Sequence, residues 1–190
     1  MHSGLFINFF RTHFATMETL VFAIIIFGLW VLELVIAEQP WKRKLQHTTA
    51  NALFVTTALP IQIFMFVFLM AMASWVKANH WGLIQFIPGH RQIVVRYIAL
   101  FFMMDFFEYI YHRCMHGMPT LWKFHLVHHS DRILDVSTTV REHPVETIVR
   151  NAFMILWVFI CGTNFGVILI RQIVQSFADI FAHTNLQLPP

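Results

Sequence analysis

The 190-residue sequence is short of charge. Asp, Glu, Lys and Arg make up 12% of it while 57% is hydrophobic, against about 25% charge in a soluble globular domain. That balance excludes a water-facing surface and makes lipid the expected solvent. The formal net charge of +3 is too small and too dispersed to suggest a nucleic-acid partner. Cysteine is nearly absent. Cys114 and Cys161 form neither a disulfide framework nor a CxxC metal site. No cleavable signal peptide is expected, because the first apolar stretch is long and no small-residue cleavage pattern follows it. The chain shows no internal repeat and no low-complexity segment.

What it has is long apolar runs. The first, about 19–37, approaches the roughly 20 apolar residues that a bilayer core requires, with Glu33 near enough to its end to reach the interface. A second covers about 50–76, with Pro60 expected to kink it. Pro88 and Gly89 mark a loop, and a third run starts near Ile93. A fourth, about 148–181, is interrupted by "CGTNFG", which predicts two shorter helices. Lys42, Arg43 and Lys44 follow the first run, and Arg113, Lys123, Arg132, Arg141 and Arg150 follow the third. The positive-inside rule places both groups on the cytoplasmic side, with two spans between them. The expected fold is all-α: a multi-pass transmembrane helical bundle with membrane helices over 1–90 and the chemistry over 91–190.

The chemistry lies in "HRCMHGMPTLWKFHLVHH", residues 112–129. His112 and His116 stand at i, i+4, so both imidazoles leave one helix face a turn apart and can share a metal. Asp105 and Glu108 fall on the same stripe, as extra ligands or as acceptors for imidazole N–H groups. Gly117 and Pro119 break that helix, and Thr120 is the expected N-cap of the next. On it His125, His128 and His129 again share a face, and a short turn allows both sets to meet. Five imidazoles exceed what one tetrahedral zinc needs, so two ions are the natural reading. His2, His13, His47, His80 and His90 read as interface residues or hydrogen bonders. A bis-histidine haem and the HExxH zinc-protease signature both fail to fit. Arg141 and His143 read as structural before Pro144, which opens a helix with Glu146 in its first turn. The other role for Arg141 is to hold a substrate headgroup or a site carboxylate.

These segments, "DFFEYIYHRCMH", "LWKFHLVHHS" and "TTVREHPVE", resemble the fatty acid hydroxylase superfamily, the sterol desaturase-like membrane di-iron oxygenases. The resemblance covers about 91–189. It implies a cytosol-facing di-iron centre that uses O2 to hydroxylate or desaturate a lipid C–H bond in a fatty acyl, sterol or carotenoid-like substrate. It makes His112, His116, His125, His128 and His129 the metal ligands. His183, in "FAHTNLQLP", is the implied sixth, with Asp179 one turn before it. The family carries a further HxxHH beyond the Leu-Pro segment. This chain ends at Pro190, so as it stands it is expected to turn over no substrate. With no flavin fingerprint, cysteine cluster or cytochrome b5 haem motif, electrons are expected from a separate ferredoxin or cytochrome b5. The competing reading is a membrane protein that binds or transports zinc or copper. Its ligands would be expected near the bilayer midplane, whereas these lie just beyond a span.

Overall fold

The computed structural model describes residues 23–36, 40–87 and 93–184. His2, His13 and His90, the ends of the first apolar run, the Pro88-Gly89 loop and the chain after Thr184 lie outside the described residues. Among those described, every regular element is helical: α1 (Ala23–Ile36), α2 (Trp41–Ala78), α3 (Ile93–Gly117), α4 (Pro119–His129), α5 (Pro144–Cys161) and α6 (Phe165–His183), with short 3-10 turns at Leu83–Phe86 and Val136–Val140. Among the described residues, three stretches are long and apolar enough to cross a membrane: Trp41–Phe86, Pro144–Cys161 and Phe165–His183. α2 runs unbroken through Pro60. α3 is long, but Arg96, Asp105, Glu108 and Arg113 keep it out of that set. One apolar face of it points outward, with Val94, Ile98, Phe102, Phe106 and Tyr109 exposed, while Leu100 and Met104 on the other are buried. Phe64 on α2 and Phe102 on α3 are 63% and 65% exposed, an arrangement stable only where lipid surrounds the bundle.

The helices run between two ends. At one end, Trp75, Trp81 and Phe159 cluster, with Trp81 and Phe159 stacked at 5.3 Å. Gly82 and Gly162 touch there, since a Cβ on Gly82 would lie 2.2 Å from the Gly162 Cα. Gly162, at φ +75°, closes α5, and the Asn164 side chain caps α6 by accepting from the Val167 N–H at 3.2 Å. The "CGTNFG" interruption is therefore a helical hairpin. α3 starts at this end, where Arg96 donates to the Ile84 carbonyl at 3.1 Å. Leu69, Leu100, Met104, Trp157 and Val158 form the core between the ends, and Phe107 stacks on Trp157 at 4.2 Å.

The other end carries the start of α2, the end of α3, all of α4, the start of α5 and the end of α6. It is tied by buried polar groups. Glu33 reaches no interface: it is fully buried, 2.7 Å from Lys44, and accepts from the Val136 N–H. Lys44 is likewise 2% exposed, so of the three-residue basic run only Lys42 and Arg43 reach the surface. Both ring nitrogens of His47 face carboxylate oxygens, of Asp131 at 2.7 Å and Asp135 at 3.1 Å. Asn51 donates to Ser137 Oγ at 2.9 Å and accepts from Arg141 Nη1 at 2.9 Å. The 3-10 turn Val136–Val140, opened by an Asp135 capping box, is thus clamped onto α2.

Candidate metal centre

α3 ends at Gly117 and α4 begins at once. Pro119 rather than Thr120 starts α4, with Met118 as its N-cap. The fixed φ of proline suits the first helical position, where no N–H is needed. The reversal brings both histidine sets together. Ring centroids of His112 lie 4.6 Å from His116 and 5.0 Å from His125, and those of His129 lie 4.8 Å from His116 and 4.7 Å from His125. His112, His116 and His125 offer ring nitrogens all within 4.8 Å of one another, a spacing that one metal ion can close. His128 turns the other way. It meets His183 from the end of α6 at 4.9 Å between rings, and lies 5.7 Å from His125. Six imidazoles thus form a group of four and a pair, with His125 adjoining both.

Hydrogen bonds assign the tautomers. The His128 Nδ1 donates to the Arg141 carbonyl at 3.2 Å, and the His183 Nδ1 donates to the Asp179 carbonyl at 2.6 Å. Carbonyls only accept, so both protons sit on Nδ1 and both Nε2 atoms present lone pairs. Those Nε2 atoms face each other at 3.0 Å. The His125 Nδ1 is 2.6 Å from buried Glu146 Oε1, and its Nε2 lies 3.1 Å from the His129 Nε2. The opposed lone pairs of His128 and His183 require a proton or a cation between them. Burial, and next the neighbouring His183, push the His128 imidazole down to about 4. Burial and then His125 also lower His129. A metal ion between the His128 and His183 Nε2 atoms would satisfy both lone pairs. Glu146 Oε2, buried and without a partner, adds an anionic oxygen beside the rings.

A cavity of about 480 Å³ opens beside the imidazoles, bounded in part by His112, His128, His183, Glu108, Arg171 and Asp179. The carboxylates expected to hold imidazole N–H groups do other things. Glu108 faces Arg171 at 3.3 Å, exposed Asp105 lines the cavity, and the Asp179 carboxylate accepts from Gln175 at 2.9 Å. Asp105 lies seven residues, or about 10 Å of helix, from His112, so sharing a stripe does not bring it into contact. Among the described residues, Glu146 is the carboxylate that meets one of the six clustered histidines, and sequence reasoning gave it only a dipole role. Its signal was the quoted "REHPVE", which places an acid two residues after the proline that opens α5. Arg141 donates to the Val127 carbonyl at 2.8 Å, to Asn51 and to Ser130, the structural role, and it also lines the cavity. The His143 Nδ1 caps α5 by accepting from the Val145 N–H. His47 is a hydrogen bonder as read, and His80 stands exposed at φ 48°.

Residues 97–190 match the sequence profile of the fatty acid hydroxylase family. This stretch belongs to that family. The fatty acid hydroxylase domain so defined takes in every histidine of both groups. A curated relative, the ornithine lipid hydroxylase OlsE of Rhizobium tropici, is 31% identical over 84 residues, which are 44% of this chain and 25% of that protein. The aligned part thus spans a quarter of the relative. No solved structure matches the chain.

Proposed function

We propose that this chain carries the metal centre of a membrane lipid hydroxylase, with His112, His116, His125, His128, His129 and His183 holding two iron ions. When bound, iron supplies the redox chemistry with O2 that zinc lacks, oxidising a lipid C–H bond with electrons from a ferredoxin or cytochrome b5 type donor. The observation that carries this reading is the opposed Nε2 pair of His128 and His183, 3.0 Å apart with both Nδ1 atoms committed to carbonyls. The chain's own residues hold and aim the rings: Glu146 fixes His125, the Arg141 carbonyl fixes His128, and the Asp179 carbonyl fixes His183. Lys42, Arg43, Lys123 and Arg132 gather at the histidine end, which supports a cytoplasmic orientation for it. In this reading residues 1–90 supply membrane helices and 91–190 the hydroxylase part.

Elemental analysis tests the proposal. The chain is expressed with balanced metals and purified without oxygen, alongside His125→Ala. Iron retained by the wild type and lost in the variant is the expected result. Stoichiometric zinc with no iron would replace the hydroxylase with a metal-binding or transport protein.

A further inference from the structure

The cavity beside the histidines is charged, and one of its side chains is left short of partners. Arg171 on α6 is 2% exposed. Its Nη2 faces Glu108 Oε2 at 3.3 Å and Gln175 Oε1 at 3.5 Å, and its buried Nε has no partner at all. A guanidinium has five N–H donors, and leaving buried ones unused is costly. Gln172, Gln175 and Asp179 line the same cavity. Filling such a space with bare methylene chain would strip water from these groups and return no hydrogen bond.

We infer that the lipid enters this cavity polar end first, with an acceptor oxygen of that end bound by Arg171. This rests on the hydroxylase reading and deepens it by naming the part of the substrate that reaches the histidines. The placement also bears on the position of oxidation. Glu108, the partner of Arg171, lies one helical turn before His112, or about 6 Å along α3. A polar group held by Arg171 therefore stands about one turn from the histidines. The carbon oxidised lies within a few carbons of the polar end, not in mid-chain. A cavity of about 480 Å³ holds a head and its first carbons, and leaves the rest of the chain to the membrane. A carboxylate and a phosphate offer the same acceptor chemistry.

Native mass spectrometry of the detergent-purified chain with sixteen-carbon probes separates the cases. The probes are palmitate, hexadecyl phosphate and hexadecane. Palmitate or hexadecyl phosphate should bind about tenfold tighter than hexadecane, and Arg171→Gln should lose about that factor. Which of the two is preferred identifies the oxygen source. Arg171→Lys, which keeps the charge, should retain part of the preference, and the wild-type ranking stands if Arg171→Gln does not fold. Equal binding of hexadecane, or a preference unchanged in Arg171→Gln, would overturn the inference. Iron content is measured on the same preparations. Iron-free protein with Arg171-dependent binding would sink the hydroxylase reading and leave the subsite standing. Iron-loaded protein with no such binding would do the reverse.

Discussion

The Nε2 atoms of His128 and His183, 55 residues apart in sequence, stand 3.0 Å from each other across the α4–α6 boundary. Neither ring can turn to relieve the contact without breaking the Nδ1 bond to a carbonyl behind it. Metal should therefore be needed to hold α6 against α4. His183→Ala should lower metal content and loosen the end of α6, while His80→Ala leaves both unchanged. Metal analysis with hydrogen exchange over 175–184 checks this. Equal effects from the two variants would mean that the facing pair is incidental.

Glu146 tests whether a carboxylate behind a ligand matters more than those in the cavity. Glu146→Gln removes the anion 2.6 Å from the His125 Nδ1 and should weaken metal binding about 10- to 100-fold. Asp179→Asn keeps the backbone carbonyl that His183 uses and should change it little. Titration against a chelator reads both. The reverse ranking would return the supporting role to Asp179.

Acid should destabilise the metal-free protein over a definite range. His128 takes a proton only near about 4 in the folded chain but near about 6.5 when unfolded. Between those values the unfolded state binds more protons, so stability falls as pH falls from about 6.5 towards 4. Below that, this group adds no further loss. His128→Gln should flatten the limb in thermal melts taken across that range. An unchanged limb in the variant would assign it to other groups.

Topology follows from the two ends of the bundle. Asn51, at the histidine end, and Asn79 are separated along α2 by about 42 Å of helix, more than a hydrocarbon core. Ser130→Cys should label with an impermeant thiol reagent from the cytoplasmic side, and Asn79→Cys from the other. Both positions are exposed, whereas Asp135 is buried and would be a poor reporter. Labelling of both from one side would mean that α2 does not cross.

Much of this was legible because helical spacing is local. The i, i+4 pairing of His112 with His116, the break at Gly117-Met118-Pro119 and the hairpin at "CGTNFG" each depend on neighbours in the chain. The partners of Glu33, Lys44 and Glu146 were not legible, because each lies on a different element brought near only by packing. Glu33 illustrates the point: near the end of an apolar run it reads as interfacial, yet Lys44 and the Val136 N–H hold it inside. The division of six histidines into four and two also escaped the pattern. One helix face puts His125, His128 and His129 on a common side, but His183 from α6 takes up only the ring that leans its way.

The clamp between α2 and the turn after α4 has a consequence for biosynthesis. Ribosomes make Lys44, His47 and Asn51 long before Asp131, Asp135, Ser137 and Arg141. While the chain grows, α2 enters the membrane with three polar side chains at its end that have not met those later partners. The first half of the protein is thus left waiting on the second, and its final seat is set only once residue 141 has emerged. Chains stalled on the ribosome before and after that point should differ in crosslinking between cysteines at Thr48 and Ser130. Identical crosslinking whenever both cysteines have emerged would show that α2 needs no such late partner.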